Sequence, residues 1–261
     1  MRLPVLDIPW PDLPASVSVL STTRRGGVSA APYDDGAGGG GLNLGTHVGD
    51  AADAVTRNRA LLRQQLPSEP VWLTQVHGTR VINLDSTPAF TEADASIATR
   101  AGVVCTIMTA DCTPVLLADS RGRVVGAAHA GWRGLASGVL EATVNAMRDA
   151  GAEEILAWLG PGIGPQAFEV GQDLEDAFAH LQADRPAFKA IDDKPGKFLA
   201  DLPELARRAL AGVGVSQVTG GEHCTVSDPE RFYSFRRDRT TGRMASMIWI
   251  NSLPNQTAPS I

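Results

Sequence analysis

The sequence has few cysteines, no excess of basic charge and no long apolar run, and each absence excludes a class of protein. Its three cysteines are too few for a disulfide framework and indicate a reducing compartment. The 29 acidic residues outnumber the 23 basic ones, and the net charge of −6 argues against a nucleic-acid partner. No segment approaches the roughly 18 to 20 apolar residues of a membrane span, and no signal pattern opens the chain, so we expect a cytoplasmic protein without a membrane partner.

What is present is typical of a globular protein. Hydrophobic residues make up 43% of the 261 positions and charged residues 20%. The length corresponds to about 1.7 domains of usual size, but no long linker divides the chain. We therefore predict one domain over residues 1–261, with a flexible glycine-rich loop at residues 34–41 and a loose C-terminal tail over about 252–261.

Short apolar runs and helical spacings alternate without a strict rhythm. Strands are predicted at residues 102–109, 114–119, 124–129, 155–159, 215–219 and 244–250. Helices are predicted at residues 135–150, 173–182 and 203–211, and a loop at 160–165. This mixture predicts an α+β (mixed α/β) fold.

A hairpin in the middle of the chain brings a cysteine near a histidine. If the turn at residues 120–123 pairs Asp119 with Val124, the numbers of paired residues sum to 243. Side chains alternate between the two faces of a sheet, so Cys112 and His129 then lie on the same face as diagonal neighbours. This prediction depends on the register, because a slip of one residue would place them on opposite faces.

A converging cysteine and histidine have three interpretations. They can be a buried thiol beside a structural histidine, a nucleophile with its base, or part of a metal site. A thiolate and imidazoles suit zinc, and a catalytic zinc has three protein ligands and one open position. His77, at the end of an apolar run over residues 72–78, is a candidate third ligand. The residues alone do not choose between it and the other histidines.

Two arginine-containing segments are candidate anion sites. The segment AGWRG at residues 130–134 leads into a predicted helix, where free N–H groups and Arg133 could bind phosphate or carboxylate. The segment TTRRGG at residues 22–27 is the second. A solvated loop arginine is the alternative interpretation for each.

Nine segments, in order along the chain, carry a resemblance to one family. They are TTRRGGVS (22–29), LNLGTHVGD (42–50), TQVHG (74–78), EADA (92–95), TADCTPVLL (109–117), HAGWRG (129–134), GPGIGP (160–165), FEVG (168–171) and FYSFRRDRTTGRMA (232–245). On these motifs the sequence resembles the YfiH family, also called laccase-domain proteins. The family fold implies layered mixed sheets flanked by helices, similar to the catalytic domain of a deamidating toxin of the CNF type.

The resemblance also implies a site. Its three metal-ligand positions fall on His77, Cys112 and His129, which implies one zinc ion. It suggests a substrate contact at Arg24 and a polar substrate-binding position at Asn43. The sequence departs from the family in two places. Gln166 and Ala167 replace a pair of cysteines that is common in relatives, and residues 38–41 form an insertion near the expected substrate entrance.

The resemblance implies a zinc-dependent purine nucleoside enzyme. Its reactions would be phosphorolysis of adenosine, inosine and methylthioadenosine, and hydrolytic deamination of adenosine. Asp111, beside Cys112, is the candidate proton carrier, with a turn or cap as its alternative role, and Arg24 joins it as a candidate catalytic residue. Either Arg24 or Arg133 could bind phosphate. The expected partners are a nucleoside and phosphate, and the expected state is a monomer or weak homo-oligomer.

Three other functions remain open at this point. Some relatives resemble an editing hydrolase that acts on an amino acid linked to a nucleotide-bound muramyl precursor of peptidoglycan, with zinc or Cys112 as the reactive group. A zinc-stabilised binding module is less favoured, because a three-ligand site is open rather than closed. A copper-dependent polyphenol oxidase is disfavoured, because five histidines are too few for several copper sites.

Overall fold

The computed structural model describes residues 3–86, 92–181 and 186–252. The strands are β1 (Val17–Ser21), β2 (Arg25–Ser29), β3 (Val81–Asn83), β4 (Ala95–Ala98), β5 (Cys105–Thr109), β6 (Thr113–Asp119), β7 (Val125–Ala130), β8 (Ile155–Leu159), β9 (Glu169–Gly171), β10 (Phe188–Ala190), β11 (Lys197–Ala200), β12 (Val218–Gly220) and β13 (Met244–Ile250). The α-helices are α1 (Ala52–Arg63), α2 (Trp132–Ala136), α3 (Val139–Asp149), α4 (Gln172–Ala177), α5 (Leu202–Gly212) and α6 (Phe235–Asp238). Of the helices in these ranges, none combines the length and apolar character that crossing a bilayer requires.

Most strands belong to three sheets. A six-stranded mixed sheet has the order β12-β8-β6-β7-β4-β3, with parallel pairs at its two ends and antiparallel pairs between them. An antiparallel sheet of β1, β13 and β5 lies against it, and a smaller sheet joins β10, β11 and β9. The sheet order places β6 and β7 at the centre of the largest sheet.

The two faces of β6 enter different cores, because alternate residues of a strand point to opposite faces. Val115 and Leu117 pack in a cluster with residues of α3 and α5. Leu116 and Ala118 pack in a second cluster with residues of β5 and β13. The six-stranded sheet therefore separates the helices α3 and α5 from the second sheet.

The same alternation in β13 creates a third core. Ile248 enters the cluster between the two sheets. Met247 and Trp249 pack on the opposite face with Leu62 of α1. The layers therefore run from α3 and α5 through two sheets to α1, which confirms the α+β fold with mixed sheets between helices.

The hairpin has the predicted register. Thr113 pairs with Ala130 and Pro114 with His129, so the residue numbers of each pair sum to 243. The turn is closed by the Asp119 amide, which donates to the Val124 carbonyl over 2.9 Å. This register places the start of β6 beside the end of β7.

Two of the predicted helices differ from the structure. The helix predicted at residues 135–150 is divided into α2 and α3, because Gly138 lies between them with a φ of +94° that a continuing helix does not permit. The helix predicted at 173–182 ends at Ala177 and continues as a 3-10 helix over Ala179–Leu181. Gln182 lies outside the described residues.

Other predictions hold with shifted boundaries. The helix predicted at 203–211 lies within α5, and the strands predicted at 155–159 and 244–250 match β8 and β13. The strand predicted at 215–219 is the shorter β12. Residues 34–40 form bends and irregular backbone, and Gly41 forms bridges with Arg25 and Ser29 of β2. Beyond Ser252 the predicted tail lies outside the described residues, and the single domain stays a prediction.

Candidate metal centre

Two histidines and one cysteine converge at the open end of the hairpin. The ligand atoms of His77, Cys112 and His129 all lie within 4.8 Å of one another. The Cys112 Sγ atom is 3.7 Å from His77 Nε2, and the two imidazole centroids are 4.7 Å apart. Ligands of one tetrahedral ion with bonds of about 2.0 to 2.3 Å have similar separations. This cluster could therefore bind a metal ion.

The sheet positions two members of the cluster. His129 lies in β7 opposite Pro114, and Cys112 precedes β6 by one residue, on the same face as Pro114. Gly131 follows β7 and faces both other ligands. A Cβ atom there would lie 2.8 Å from the His77 ring and 2.9 Å from the Cys112 sulfur. Glycine at this position therefore leaves the space in which the three ligands meet.

A buried carboxylate positions the third member. Asp94 accepts hydrogen bonds from the amides of Val76, His77 and Gly78, over 3.1, 2.9 and 2.7 Å. These bonds fix a loop in which His77 has a φ of +62°. Three backbone donors on one carboxylate determine the path of the loop without any strand.

The same carboxylate orients the second imidazole. Asp94 Oδ1 accepts the Nδ1–H of His129 over 2.8 Å, and the Asp94 carbonyl accepts the His129 amide over 2.7 Å. This bond leaves Nε2 of His129 free to act as a metal ligand, in the arrangement common to metal-binding histidines. No site role was predicted for Asp94 from the EADA segment in which it lies.

The cluster carries complementary charge. Burial raises the pKa of the Cys112 thiol, but the His129 imidazolium and hydrogen bonds from His129 and His77 have the larger combined effect and lower it below its ordinary value. Burial lowers the pKa of His129, but the Cys112 thiolate and Asp94 raise it above its ordinary value. Each group therefore favours the charged form of the other, and the thiolate is the form that ligates metals.

Asp111 lies beside Cys112 but its carboxylate has partners of its own. Its φ is +91°, Oδ1 accepts the Thr225 hydroxyl over 2.6 Å, and Oδ2 accepts the Arg236 amide over 2.6 Å. These contacts connect the start of β6 to the first turn of α6. The proposed proton transfer by Asp111 stays a prediction.

Arg24 is buried and bound to backbone carbonyls. Its Nε and Nη2 atoms donate to the Asp34 carbonyl over 3.0 and 2.8 Å, and Nη1 donates to the Pro229 carbonyl over 2.9 Å. The guanidinium lies 4.8 Å above the Tyr233 ring. Arg24 thus fixes the start of the glycine-rich loop at 34–41, and its predicted catalytic and substrate roles stay predictions.

Asn43 and Arg133 differ in burial and in the hydrogen bonds that their side chains form. Asn43 is fully buried and its amide donates to the Gly45 carbonyl and to Asp50, over 3.2 and 2.9 Å. Arg133 is exposed, lies 4.4 Å above the Trp132 ring, and donates to no other residue in the described ranges. Their predicted substrate contacts stay predictions.

The two remaining thiols lie outside the cluster. Burial raises the pKa of Cys105 to about 12, as expected for a thiol without reactivity. The Cys224 sulfur accepts the Gly164 amide over 3.2 Å and the Ser227 hydroxyl over 3.3 Å.

Known proteins resemble this chain over most of its length. A family model described as multi-copper polyphenol oxidoreductase laccase matches residues 18–251. Purine nucleoside phosphorylase YfiH of Escherichia coli K12 is 52% identical over 244 residues, which cover 92% of this chain and 96% of that protein. A purine nucleoside phosphorylase of Pseudomonas aeruginosa is 51% identical over 241 residues, with the same coverage of both chains.

A solved structure has the same fold. The crystal structure of a Neisseria meningitidis protein matches with a TM-score of 0.85 and 47% identity, covering 97% of this chain and 100% of that one. The motifs that carry the resemblance are also the segments that supply the cluster and its supporting residues. This chain therefore belongs to the multi-copper polyphenol oxidoreductase laccase family, the family of the YfiH proteins.

Proposed function

We propose that this chain is a purine nucleoside phosphorylase that uses one zinc ion and also deaminates adenosine. Two relatives that are 52% and 51% identical carry the name purine nucleoside phosphorylase, and the match covers 96% of each. The observation that carries the proposal is the three-residue cluster, in which His129 is buried while His77 is exposed and Cys112 is partly exposed. A substrate can therefore reach the cluster from the side of His77.

The donor set supports zinc rather than copper. One thiolate and two imidazoles with an open position are typical of catalytic zinc sites. In the described ranges, these three residues are the one group of potential ligand side chains close enough together to hold a metal ion. The whole sequence has five histidines. Several copper ions would need more ligands than these. A bound zinc ion would supply Lewis-acid chemistry at the open side of the cluster.

The proposed reactions require a phosphate or a water molecule beside the nucleoside. In phosphorolysis, a phosphate oxygen bonds to C1′ of the ribose and the bond from C1′ to N9 breaks. The electron pair leaves with the purine, which takes up a proton. In deamination, a water oxygen bonds to C6 of adenosine and the amine leaves as ammonia. We propose adenosine, inosine and methylthioadenosine as substrates.

The chain's own residues have distinct proposed tasks. Asp111 is the proposed proton carrier, and one of its two carboxylate hydrogen bonds must then be exchanged during the reaction. Arg133 is a proposed substrate contact with a free guanidinium. Arg24 and Asn43 both form hydrogen bonds with the segment over residues 34–45. We propose that each of them contacts the substrate beside this segment. A location in the cytoplasm and a monomeric or weakly associating state stay predictions.

Incubation of the purified protein with adenosine, with and without phosphate, tests the proposal. With phosphate we expect adenine, hypoxanthine from cleaved inosine, and ribose 1-phosphate; without phosphate we expect inosine alone. We also expect about one zinc per chain. Release of an amino acid from a muramyl precursor, with neither purine product, would favour the editing hydrolase. Polyphenol oxidation with bound copper would favour the oxidase.

The variant Cys112→Ala locates the reaction in the cluster. We expect it to lose zinc and turnover while it keeps its circular dichroism spectrum. Cys224→Ser is the matched control, because it changes a thiol outside the cluster and should keep both. Full turnover by Cys112→Ala would contradict the proposed site.

A further inference from the structure

Arg243 lies at the edge of the metal centre and has no part in the function described above. It directly precedes β13, in which Met244 pairs with Thr109. Continuing that antiparallel register places Arg243 opposite Ala110, two residues before Cys112. Its guanidinium interacts electrostatically with the Cys112 thiol and the Asp111 carboxyl. A cation thus lies beside the cluster.

One edge of this guanidinium is fixed and the other is free. Nη1 donates to the carbonyls of Thr241 and Gly242, over 3.1 Å each. Nε and Nη2 donate to no residue in the described ranges, and Arg243 forms no ion pair with a carboxylate there. Burial lowers the pKa of Arg243, and the charges of Cys112 and Asp111 offset this effect only in part. The Nε and Nη2 edge is the fork that binds two oxygens of an oxyanion at once.

The segment LNLG at residues 42–45 is built around this arginine. The Arg243 amide donates to Asn43 Oδ1 over 2.9 Å, and the Leu44 amide donates to the Arg243 carbonyl over 3.1 Å. At Gly45 a Cβ atom would lie 2.8 Å from Cγ of Arg243. Three consecutive residues therefore position Arg243, which reduces the entropy lost when it binds a ligand.

The other candidate arginines are less suited to a phosphate. All three guanidinium nitrogens of Arg24 donate to backbone carbonyls. Arg133 is exposed, so water and salt weaken its attraction for an anion. Arg243 combines partial burial, a free fork and a position beside the cluster.

We propose that the free edge of Arg243 binds a phosphate dianion beside the metal centre, with Asn43, Leu44 and Gly45 as positioning residues. This inference rests on the proposed function, in which inorganic phosphate is the second substrate. A phosphate group on a nucleotide has the same chemistry, and the experiment separates these two sources.

Isothermal titration calorimetry of the zinc-loaded protein with inorganic phosphate tests the site. We expect Arg243→Ala to weaken binding about 10- to 100-fold, and Arg243→Lys to weaken it less, because one charged donor replaces the fork. Arg121→Ala is the matched control, because it removes an exposed guanidinium that pairs with Glu153 at the turn of the hairpin. It should bind phosphate like the wild type. Unchanged phosphate affinity in Arg243→Ala would overturn the proposal.

A second titration uses adenosine monophosphate. Inorganic phosphate binding that depends on Arg243 supports the free ion as the ligand. If adenosine monophosphate binds through Arg243 and inorganic phosphate does not, a nucleotide is the ligand and the assignment of inorganic phosphate is wrong. Gly45→Ala keeps the guanidinium but displaces it, and it should weaken phosphate binding with retained zinc. Wild-type affinity in a folded Gly45→Ala protein would contradict the positioning role.

Kinetics separate this inference from the proposed function. With adenosine, Arg243→Ala should raise the phosphate KM of cleavage by a larger factor than it changes the rate of deamination, which needs no phosphate. A wild-type protein that binds phosphate through Arg243 but cleaves no nucleoside would refute the proposed function alone. Cleavage with an unchanged phosphate KM in Arg243→Ala would refute the phosphate site alone.

Discussion

Cys112 and His129 lie on the β6–β7 hairpin, whereas His77 lies in a loop that belongs to no described strand. The hairpin places its two ligands through backbone pairing, which any sequence with this register would share. The loop places its ligand through one carboxylate, that of Asp94, which accepts three consecutive amides. A metal centre can thus combine a ligand pair set by a sheet with a third ligand set by a single side chain.

Asp94 binds both the His77 loop and the His129 ring of the hairpin, so we expect its replacement to have the largest effect on zinc affinity. Asp94→Ala should reduce zinc affinity by more than about 100-fold, because it frees the His77 loop and the His129 ring together. Asp94→Asn should reduce it about 10- to 100-fold. Zinc affinity measured by competition with a chelator checks both.

The control for this prediction is a second carboxylate, which is partly buried. Asp85→Asn also changes a carboxylate that accepts backbone amides, those of Thr99 and Arg100, but it lies outside the cluster. It should keep zinc affinity within about twofold. Equal zinc loss in Asp85→Asn and Asp94→Asn would mean that the effect is on general folding.

Replacing each histidine separates stability from metal binding. His129→Ala should lower the free energy of unfolding of the zinc-free protein by about 2 to 4 kcal/mol, because His129 is 3% exposed and Asp94 would lose its one side-chain donor in the cluster. His77→Ala should lower it by less than about 1 kcal/mol, because His77 is exposed. Both should lose zinc and turnover. Denaturant unfolding measures the difference, and equal losses of stability would contradict the comparison.

Gly131 tests the space between the hairpin and the loop. Gly131→Ala introduces a Cβ atom within 2.8 Å of the His77 ring and 2.9 Å of the Cys112 sulfur. We expect zinc affinity to fall about tenfold or more, since one ligand must move. Gly212→Ala is the control, because a Cβ there has no neighbour within 4 Å. Zinc titration of the two variants gives the answer, and equal affinities would refute the packing argument.

The smallest expected effect is that of pH on the zinc-free protein. The pKa of His129 is raised, so its stabilising effect is present at low pH and is lost as pH rises through that raised value. The pKa of Cys112 is lowered, so its stabilising effect is lost as pH falls through that lowered value. The pair should therefore stabilise the fold most between the two shifted pKa values, about 6 for Cys112 and about 9 for His129.

Unfolding curves of metal-stripped protein across this range check the pH prediction. Cys112→Ser should flatten the profile, because serine stays neutral and leaves His129 with Asp94 alone. A wild-type profile that matches that of Cys112→Ser would show that the thiolate and imidazolium do not interact.

The register of the hairpin could be predicted from the sequence because it depends on residues that are close together in the chain. A four-residue turn between two apolar strands determined the register, and the register determined that Cys112 and His129 share a face. The assignment of His77 as a ligand needed the family resemblance. Its placement depends on Asp94, whose partners are mostly backbone amides. Amide donors leave no trace in the pattern of side chains. An acidic residue at the entry to a buried strand is the signal that could have indicated Asp94.

Helix α1 was not predicted for a related reason. Its buried face consists of Ala54, Val55, Asn58 and Leu62, which gives a weak apolar period. Asn58 is buried because it donates to Ser29 and to the carbonyls of Gly41 and Asn43. These contacts span different segments of the chain, so only the assembled structure explains the polar residue on that face.

The Asp94 contacts also determine how a bound ion would leave. A ligand in the sheet can be withdrawn only by breaking strand pairs in a close-packed interior, whereas the exposed loop can swing outward after a few hydrogen bonds open. We therefore expect a bound ion to exchange with solution through a local opening of residues 76–78, which needs less free energy than global unfolding. The protein could lose and regain a bound metal ion while its sheets stay intact.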